Sequence, residues 1–240
     1  MNVEQMLAGY NDYNQANFYF YTEPQFKIFK SSKLGIRYEL KFTKIEFNDS
    51  IAYKEKKRSQ YMGLFYTFDN NKDYYDRTQG VSITISSNNY FNFMNSGNGF
   101  SKHELIANFY TLVRNKHPQI IMANRFVAKV TTRNVPFYEK YVVGNIDLRG
   151  YVKQQHTGEK LYAAQSETRV KLNDYLGVVV FGGLALSTNS AREVNVKELL
   201  PAGGFGLRVK ESKYKKLYTG IDFAWGKGDW GFYFRVGDAF

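Results

Sequence analysis

The chain has 240 residues, no cysteine, and 33 Lys and Arg residues against 22 Asp and Glu residues, a formal net charge of +11. This length suits one domain or one barrel, and the lack of cysteine excludes a disulfide framework. No run of about 18 apolar residues occurs, which excludes a transmembrane helix. The 20 Tyr and 20 Phe residues favour a membrane β-barrel, whose interfaces need aromatic girdles, while a soluble all-β domain is the simpler alternative.

The first residues of the chain show helical rather than alternating periodicity. Val3, Met6, Leu7 and Tyr10 have the i, i+3, i+4, i+7 spacing of a short amphipathic helix. The first five residues have neither a basic nor an apolar stretch, so we see no signal peptide and expect a mature form of an exported protein. We predict an N-terminal segment over residues 1–16, in which a short helix is one option, and a β domain over residues 17–240.

From residue 18 onward, apolar and polar residues alternate in about twelve short segments. The segment 162–172 places Glu167 on a polar face and Tyr162 on an apolar face, as in a strand with one wet and one apolar side. The predicted strands cover residues 18–21, 25–31, 36–43, 62–69, 81–86, 104–113, 119–131, 162–172, 177–187, 203–210, 217–226 and 230–240.

Long and short connections alternate between these predicted strands. The long ones cover residues 48–60, 87–101, 132–160 and 187–199. Outer-membrane barrels have long loops on one side and short turns on the other, whereas a soluble sandwich is not expected to show this regularity. The pattern predicts an all-β, antiparallel up-and-down transmembrane barrel of about 12 strands, and an even number would place both ends of the β domain on the same side.

A turn-rich segment precedes the predicted strand 162–172. Its residues Leu148, Arg149, Gly150 and Tyr151 resemble the (V/L)RG(F/Y) signature of the BamA/TamA family of outer-membrane barrels. Four further stretches resemble motifs of that family in the same order, at residues 135–145, 166–169, 203–208 and 232–240. Over roughly residues 61–240, the chain is similar to a short member or a fragment of that family without its POTRA repeats.

The resemblance implies a site inside the barrel. In the family, the loop folds back into the lumen and its arginine pairs with a carboxylate on the barrel wall, which corresponds here to Arg149 and Glu167. A guanidinium removed from water needs such a partner, whereas spacing alone also fits a solvated arginine beside an unrelated glutamate. Gly183 stands where the family carries an aspartate, so one acidic anchor is missing, and Asp147 or Asp222 is the candidate to replace it.

The end of the chain carries aromatic residues at alternate positions, including Phe232, Phe234 and Phe240. The resemblance implies a recognition signal for the outer-membrane assembly machinery, although a lipid-facing strand needs the same aromatics. Gly237 weakens this strand, and the first predicted strand is short. We therefore predict a weak seam between the first and last strands that opens into lipid; an ordinary closed seam is the alternative.

The resemblance implies a function in protein insertion or translocation at the bacterial outer membrane, through the weak seam and perturbation of the bilayer. The expected partners are outer-membrane lipids, lipopolysaccharide, and unfolded outer-membrane proteins or another assembly component. The basic residues are dispersed, which does not favour nucleic acid. Two alternatives stay open: a passive, lipid-perturbing or lipid-transfer barrel without assembly activity, and a soluble all-β binding module.

The sequence offers little support for catalysis. His103, His117 and His156 lack the spacing of metal ligands, and the glycine-rich stretch 203–206 falls within a predicted strand, unlike a dinucleotide fingerprint. We expect no enzyme, no cofactor and no metal.

Overall fold

The computed structural model describes residues 13–47, 54–71, 76–91, 99–132, 135–144, 146–152, 155–189, 198–210, 217–237 and 240. Within these ranges the chain forms fourteen strands and one short 3-10 helix, η1 (Phe137–Glu139). The strands are β1 (Tyr13–Thr22), β2 (Gln25–Phe29), β3 (Ser32–Phe47), β4 (Lys54–Asp69), β5 (Gly80–Phe91), β6 (Phe100–Arg114), β7 (Gln119–Thr131), β8 (Tyr141–Val142), β9 (Thr157–Gly158), β10 (Lys160–Lys171), β11 (Leu176–Thr188), β12 (Leu200–Lys210), β13 (Tyr218–Gly226) and β14 (Asp229–Val236). Among the described residues, no helix is both long and apolar enough to cross a membrane.

Twelve of the strands form one antiparallel sheet in the order β1-β3-β4-β5-β6-β7-β10-β11-β12-β13-β14, with β2 also paired to β3. This confirms the predicted up-and-down arrangement of about twelve strands. The remaining two, β8 and β9, pair with each other in the connection between β7 and β10. Closure of the sheet into a barrel stays a prediction, because no ladder among the described residues joins β1 to β14.

The strands β1 and β2 are two halves of one edge strand. Both pair with the same edge of β3, because β4 occupies the other edge along its length. Between the two halves, the carbonyl oxygen of Pro24 accepts a hydrogen bond from Ile36 N at 3.1 Å. Proline lacks an N–H and is tolerated on an edge strand, so Pro24 interrupts the strand without turning it back.

Because β1 and β2 share one position, the twelve strands occupy eleven positions across the sheet. This corrects the even count expected from the sequence. In an antiparallel sheet with an odd number of positions, the first and last strands run in the same direction. The start of β1 and the end of β14 therefore lie at opposite ends of the sheet.

Several strands extend beyond their predicted bounds. β4 begins at Lys54, which places Lys56, Lys57 and Arg58 in a strand rather than in the predicted loop. β1 begins at Tyr13, inside the predicted N-terminal segment, and the helical pattern from Val3 to Tyr10 lies outside the described residues. Alternation does not predict these extensions, because most of their residues are polar on both faces of the strand.

The sheet is apolar on its outer face and polar on its inner face. In β10, Gln165, Glu167 and Arg169 are buried, while Tyr162 on the opposite face is exposed. The same holds in the second half of β12, where Arg208 is buried while Phe205, Leu207 and Val209 are exposed. This is the reverse of a soluble protein and is typical of a β-sheet that faces lipid.

The connection between β7 and β10 lies on the inner face of the sheet. Leu148 and Tyr151 of this connection pack with Val127, Leu161 and Ala185 of the surrounding strands. Polar contacts extend from this connection to β3 on one side and to β14 on the other. The sheet therefore curves around this connection, which carries the candidate site.

Candidate functional site

Two glycines with positive φ angles shape the connection around Arg149, and one of them lies directly against the sheet. Gly144 and Gly150 have φ angles of +144° and +107°, which residues with a side chain rarely adopt. A Cβ atom on Gly150 would lie 2.8 Å from the backbone carbon of Trp225 in β13. Glycine at this position is therefore required for the turn and for its contact with the wall.

Arg149 is fully buried and contacts two carboxylates on two different strands. Its Nη2 donates to Glu167 in β10, and its Nη1 donates to Asp222 in β13 at 2.7 Å. Its Nε donates to Gln165 Oε1 at 3.3 Å, and its Cζ lies 3.3 Å from the ring centre of Phe181. The guanidinium thus has charged partners on two sides and an aromatic face beneath it, which is a favourable cation–π arrangement.

Three more arginines complete this buried network. Arg169 Nε donates to Glu167 at 2.7 Å, while Arg208 Nη1 and Arg235 Nε donate to Asp222 at 2.5 Å and 2.8 Å. With the loop arginine, four arginines contact two side-chain carboxylates. Each carboxylate therefore holds several arginines, and its loss would leave buried charges unpaired, which is far costlier than losing a surface pair.

Hydrogen bonds next to Arg149 fasten the connection to β12, to β14 and to the turn between β13 and β14. They run from Gly150 N to Tyr233 OH (2.9 Å), from Tyr151 OH to Pro201 O (2.7 Å), from Val152 N to Asp229 Oδ2 (2.7 Å) and from Lys227 N to Tyr151 OH (3.0 Å). The edge strand β14 is thus held from its inner face by the same turn that carries Arg149.

The structure places Asp222, rather than Asp147, against Arg149. Asp147 instead accepts hydrogen bonds from Lys129 and, at 3.3 Å, from Arg125 in β7. At Gly183, where the resembled family carries an aspartate, a Cβ atom would lie 2.5 Å from Ala164 O and 2.9 Å from Leu148 Cδ1. A side chain does not fit there, because the carbonyl oxygen of Ala164 and the side chain of Leu148 occupy the space.

A second buried carboxylate fastens the other end of the connection. Glu139 in η1 accepts from Lys41 in β3 at 2.7 Å and from Lys102 in β6 at 2.8 Å. Burial alone would raise the pKa of Glu139, but the two lysines hold it below its usual range. Sequence reasoning missed this residue, because a single glutamate outside the strands gives no periodic signal.

The aromatic residues predicted on one face of the last strand do not all lie on that strand in the structure. Phe232 and Phe234 lie exposed on the outer face of β14, but Phe240 does not. β14 ends at Val236, and Gly237 has a φ of +87° that bends the chain away from the strand line. The carbonyl oxygen of Phe240 accepts from Arg169 Nη2 at 3.0 Å, so the expectation that Phe240 continues the last strand is wrong.

The comparisons with known proteins concern the fold. No family model and no curated protein matches the sequence. Among solved structures, the chain is similar to BamA from Haemophilus ducreyi lacking POTRA domains 1–3, with a TM-score of 0.69 and 14% sequence identity. The likeness covers 94% of this chain and 55% of that one, so this chain spans little more than half of its length. The structural likeness shows a BamA-like fold, which agrees with the fold that the sequence motifs predict. Membership of the family stays a prediction.

Proposed function

We propose that this chain is an outer-membrane β-barrel that assists the insertion of other β-barrel proteins, by offering its free strand edges to their strands. One observation carries the proposal: a sheet with an apolar outer face and a polar, charged interior has two edge strands without a strand partner among the described residues. The BamA-like fold supports the outer-membrane assignment.

The two edges are suited to strand addition. Phe18 in β1 is 71% exposed and Phe234 in β14 is 70% exposed. A free edge presents unpaired backbone N–H and C=O groups, and an added strand satisfies them through main-chain hydrogen bonds. Within a bilayer, water cannot form hydrogen bonds with these groups, so pairing lowers the free energy more than it does in solution.

The buried cluster keeps the β14 edge in place without help from a neighbouring strand on its free side. Tyr233 is bonded to the Arg149 turn, and Arg235 is bonded to Asp222 in β13. An edge strand held from its inner face is already ordered when a client strand arrives. Less ordering entropy is then lost on pairing, which favours the capture of the client.

The proposed partners are outer-membrane lipids, lipopolysaccharide, and unfolded outer-membrane proteins or another assembly component. Basic residues occur near strand ends, for example Lys56 and Lys57 in β4, which begins at Lys54. Such side chains attract anionic headgroups at a membrane surface. This part of the proposal rests on charge and position alone.

The test is an insertion assay with the purified chain in lipid vesicles. An unfolded client barrel is added, and its insertion is followed by protease protection and by its altered migration on unheated gels. We expect faster insertion than in empty vesicles. We also expect the rate to fall when a disulfide ties β1 to β14, with recovery after reduction as the control.

Two results would contradict the proposal. One is a client rate equal to that of empty vesicles, and the other is full activity with the edges tied. Accelerated lipid exchange between leaflets without client insertion would instead favour a lipid-perturbing barrel.

A further inference from the structure

A cavity of about 670 Å³ lies on the inner face, between the Arg149 connection and the strands β6, β7 and β14. Binding sites for small molecules usually have about 300–1,000 Å³, so this volume suits a ligand. The residues that define its character are Arg125, Lys129, Asp147, Ile146, Val152 and Tyr233.

One end of the cavity is cationic. Among the residues that line this end, Arg125 and Lys129 carry one more charge than their shared partner Asp147; Glu104 faces Lys129 across the β6–β7 ladder but does not line the cavity. Arg125 is only 8% exposed; its Nη1 and Nη2 donate to Asn108 and Asp147, but its Nε has no acceptor among the described residues. This Nε is itself buried, so an anionic oxygen would be bound by the charge of the guanidinium and of Lys129, both of which line the cavity.

The other end of the cavity is apolar. Ile146 and Val152 are 45% and 52% exposed, although they belong to a connection that packs against the inner face. Val152 also lies against Gly231, where a Cβ atom would be 2.5 Å from Val152 Cγ2, so the apolar end reaches the edge strand β14. Exposed apolar side chains that share a cavity mark a ligand surface.

We propose that this cavity binds an anionic amphiphile: one carboxylate or phosphate group at Arg125 and Lys129, and an alkyl portion against Ile146 and Val152. The polar and apolar ends together exclude a free inorganic anion or a neutral alcohol as the best ligand. The inference concerns a ligand of the interior and does not depend on the insertion activity proposed above.

The test is calorimetric titration of the protein in nanodiscs of neutral phosphatidylcholine with octyl phosphate, inorganic phosphate and octanol. Each ligand is also titrated into Lys129→Gln and Ile146→Ser, with Lys33→Gln and Ile28→Ser as controls at exposed positions outside the cavity. Each ligand partitions into the bilayer to the same extent for all variants, so differences between their titrations measure binding in the cavity.

We expect saturable binding of octyl phosphate that is about tenfold weaker in Lys129→Gln, the loss that corresponds to one charge-assisted hydrogen bond. Ile146→Ser should weaken it too without touching any charge, and both controls should bind as the unaltered protein does. Equal binding of inorganic phosphate or of octanol would overturn the proposal, since either shows that one half of the ligand suffices. Identical titrations for all variants would overturn it as well, since the heat then comes from the bilayer.

Discussion

The buried charge of Arg149 explains why one short turn can fasten several strands. Its guanidinium is shared by Glu167 in β10 and Asp222 in β13, and each of these carboxylates binds further arginines. Such a cluster is stable only when complete, because desolvated charges have no alternative partner. Gly183 fits this arrangement: it leaves room for Leu148, and Asp222 supplies the second carboxylate from another strand.

Replacing Glu167 with glutamine should release the Arg149 turn. The change removes the charge partner of Arg149 and Arg169 but keeps the size of the side chain, and breaking a buried pair in this way costs about 3–5 kcal/mol. We expect faster hydrogen exchange in residues 146–152. Asp174→Asn, at a solvent-exposed carboxylate beside His117, is the matched control and should leave the exchange unchanged. Unaltered protection in Glu167→Gln would show that packing of Leu148 and Tyr151 holds the turn alone.

At the scale of elements, strands with strict alternation were predictable from the sequence and their ends were not. β10 and β11 match the predicted segments within two residues because their inner and outer faces differ sharply. β1 and β2 were predicted as two strands, because Pro24 reads as a turn when the pairing with β3 is unknown. The motif at Arg149 indicated Glu167 as a partner, but choosing Asp222 over Asp147 requires the register between strands, which one sequence does not contain.

The contact of η1 with the sheet should depend on pH through Glu139. The lysines lower the pKa of Glu139 from its ordinary value of 4.5, so the stability that it contributes is full above pH 4.5 and is lost as the pH falls through the lower, folded-state value. We therefore expect the unaltered protein to unfold at a higher temperature than Glu139→Gln at neutral pH. This difference should stay constant down to pH 4.5 and shrink below it.

Thermal unfolding of the two proteins side by side checks this prediction. Other carboxylates titrate in both proteins, so only the difference between the midpoints reports Glu139. A difference that grows on acidification, or one that is absent at neutral pH, would contradict the assigned role of Lys41 and Lys102.

At the scale of the whole molecule, the odd number of positions decides how the sheet can close. β1 and β14 run in the same direction, so a direct ladder between them must be parallel, whereas every other ladder of the sheet is antiparallel. Parallel pairing is slightly less stable per residue than antiparallel pairing. A parallel closure would therefore be less stable per residue than the other ladders of the sheet, for a topological reason that is independent of the glycines in β14.

Pairs of cysteines at Phe18 or Phe20 in β1 and at Trp230, Phe232 or Phe234 in β14 test this closure in lipid vesicles. All five side chains are exposed and point outward from strands with an apolar outer face. If Phe18→Cys links to Phe232→Cys, a parallel ladder requires that Phe20→Cys links to Phe234→Cys, because both positions advance together. An antiparallel ladder would link Phe20→Cys to Trp230→Cys instead, and would contradict the eleven positions. Since the register is unknown, the first pair is found by scanning, and the direction in which its partners shift then gives the answer.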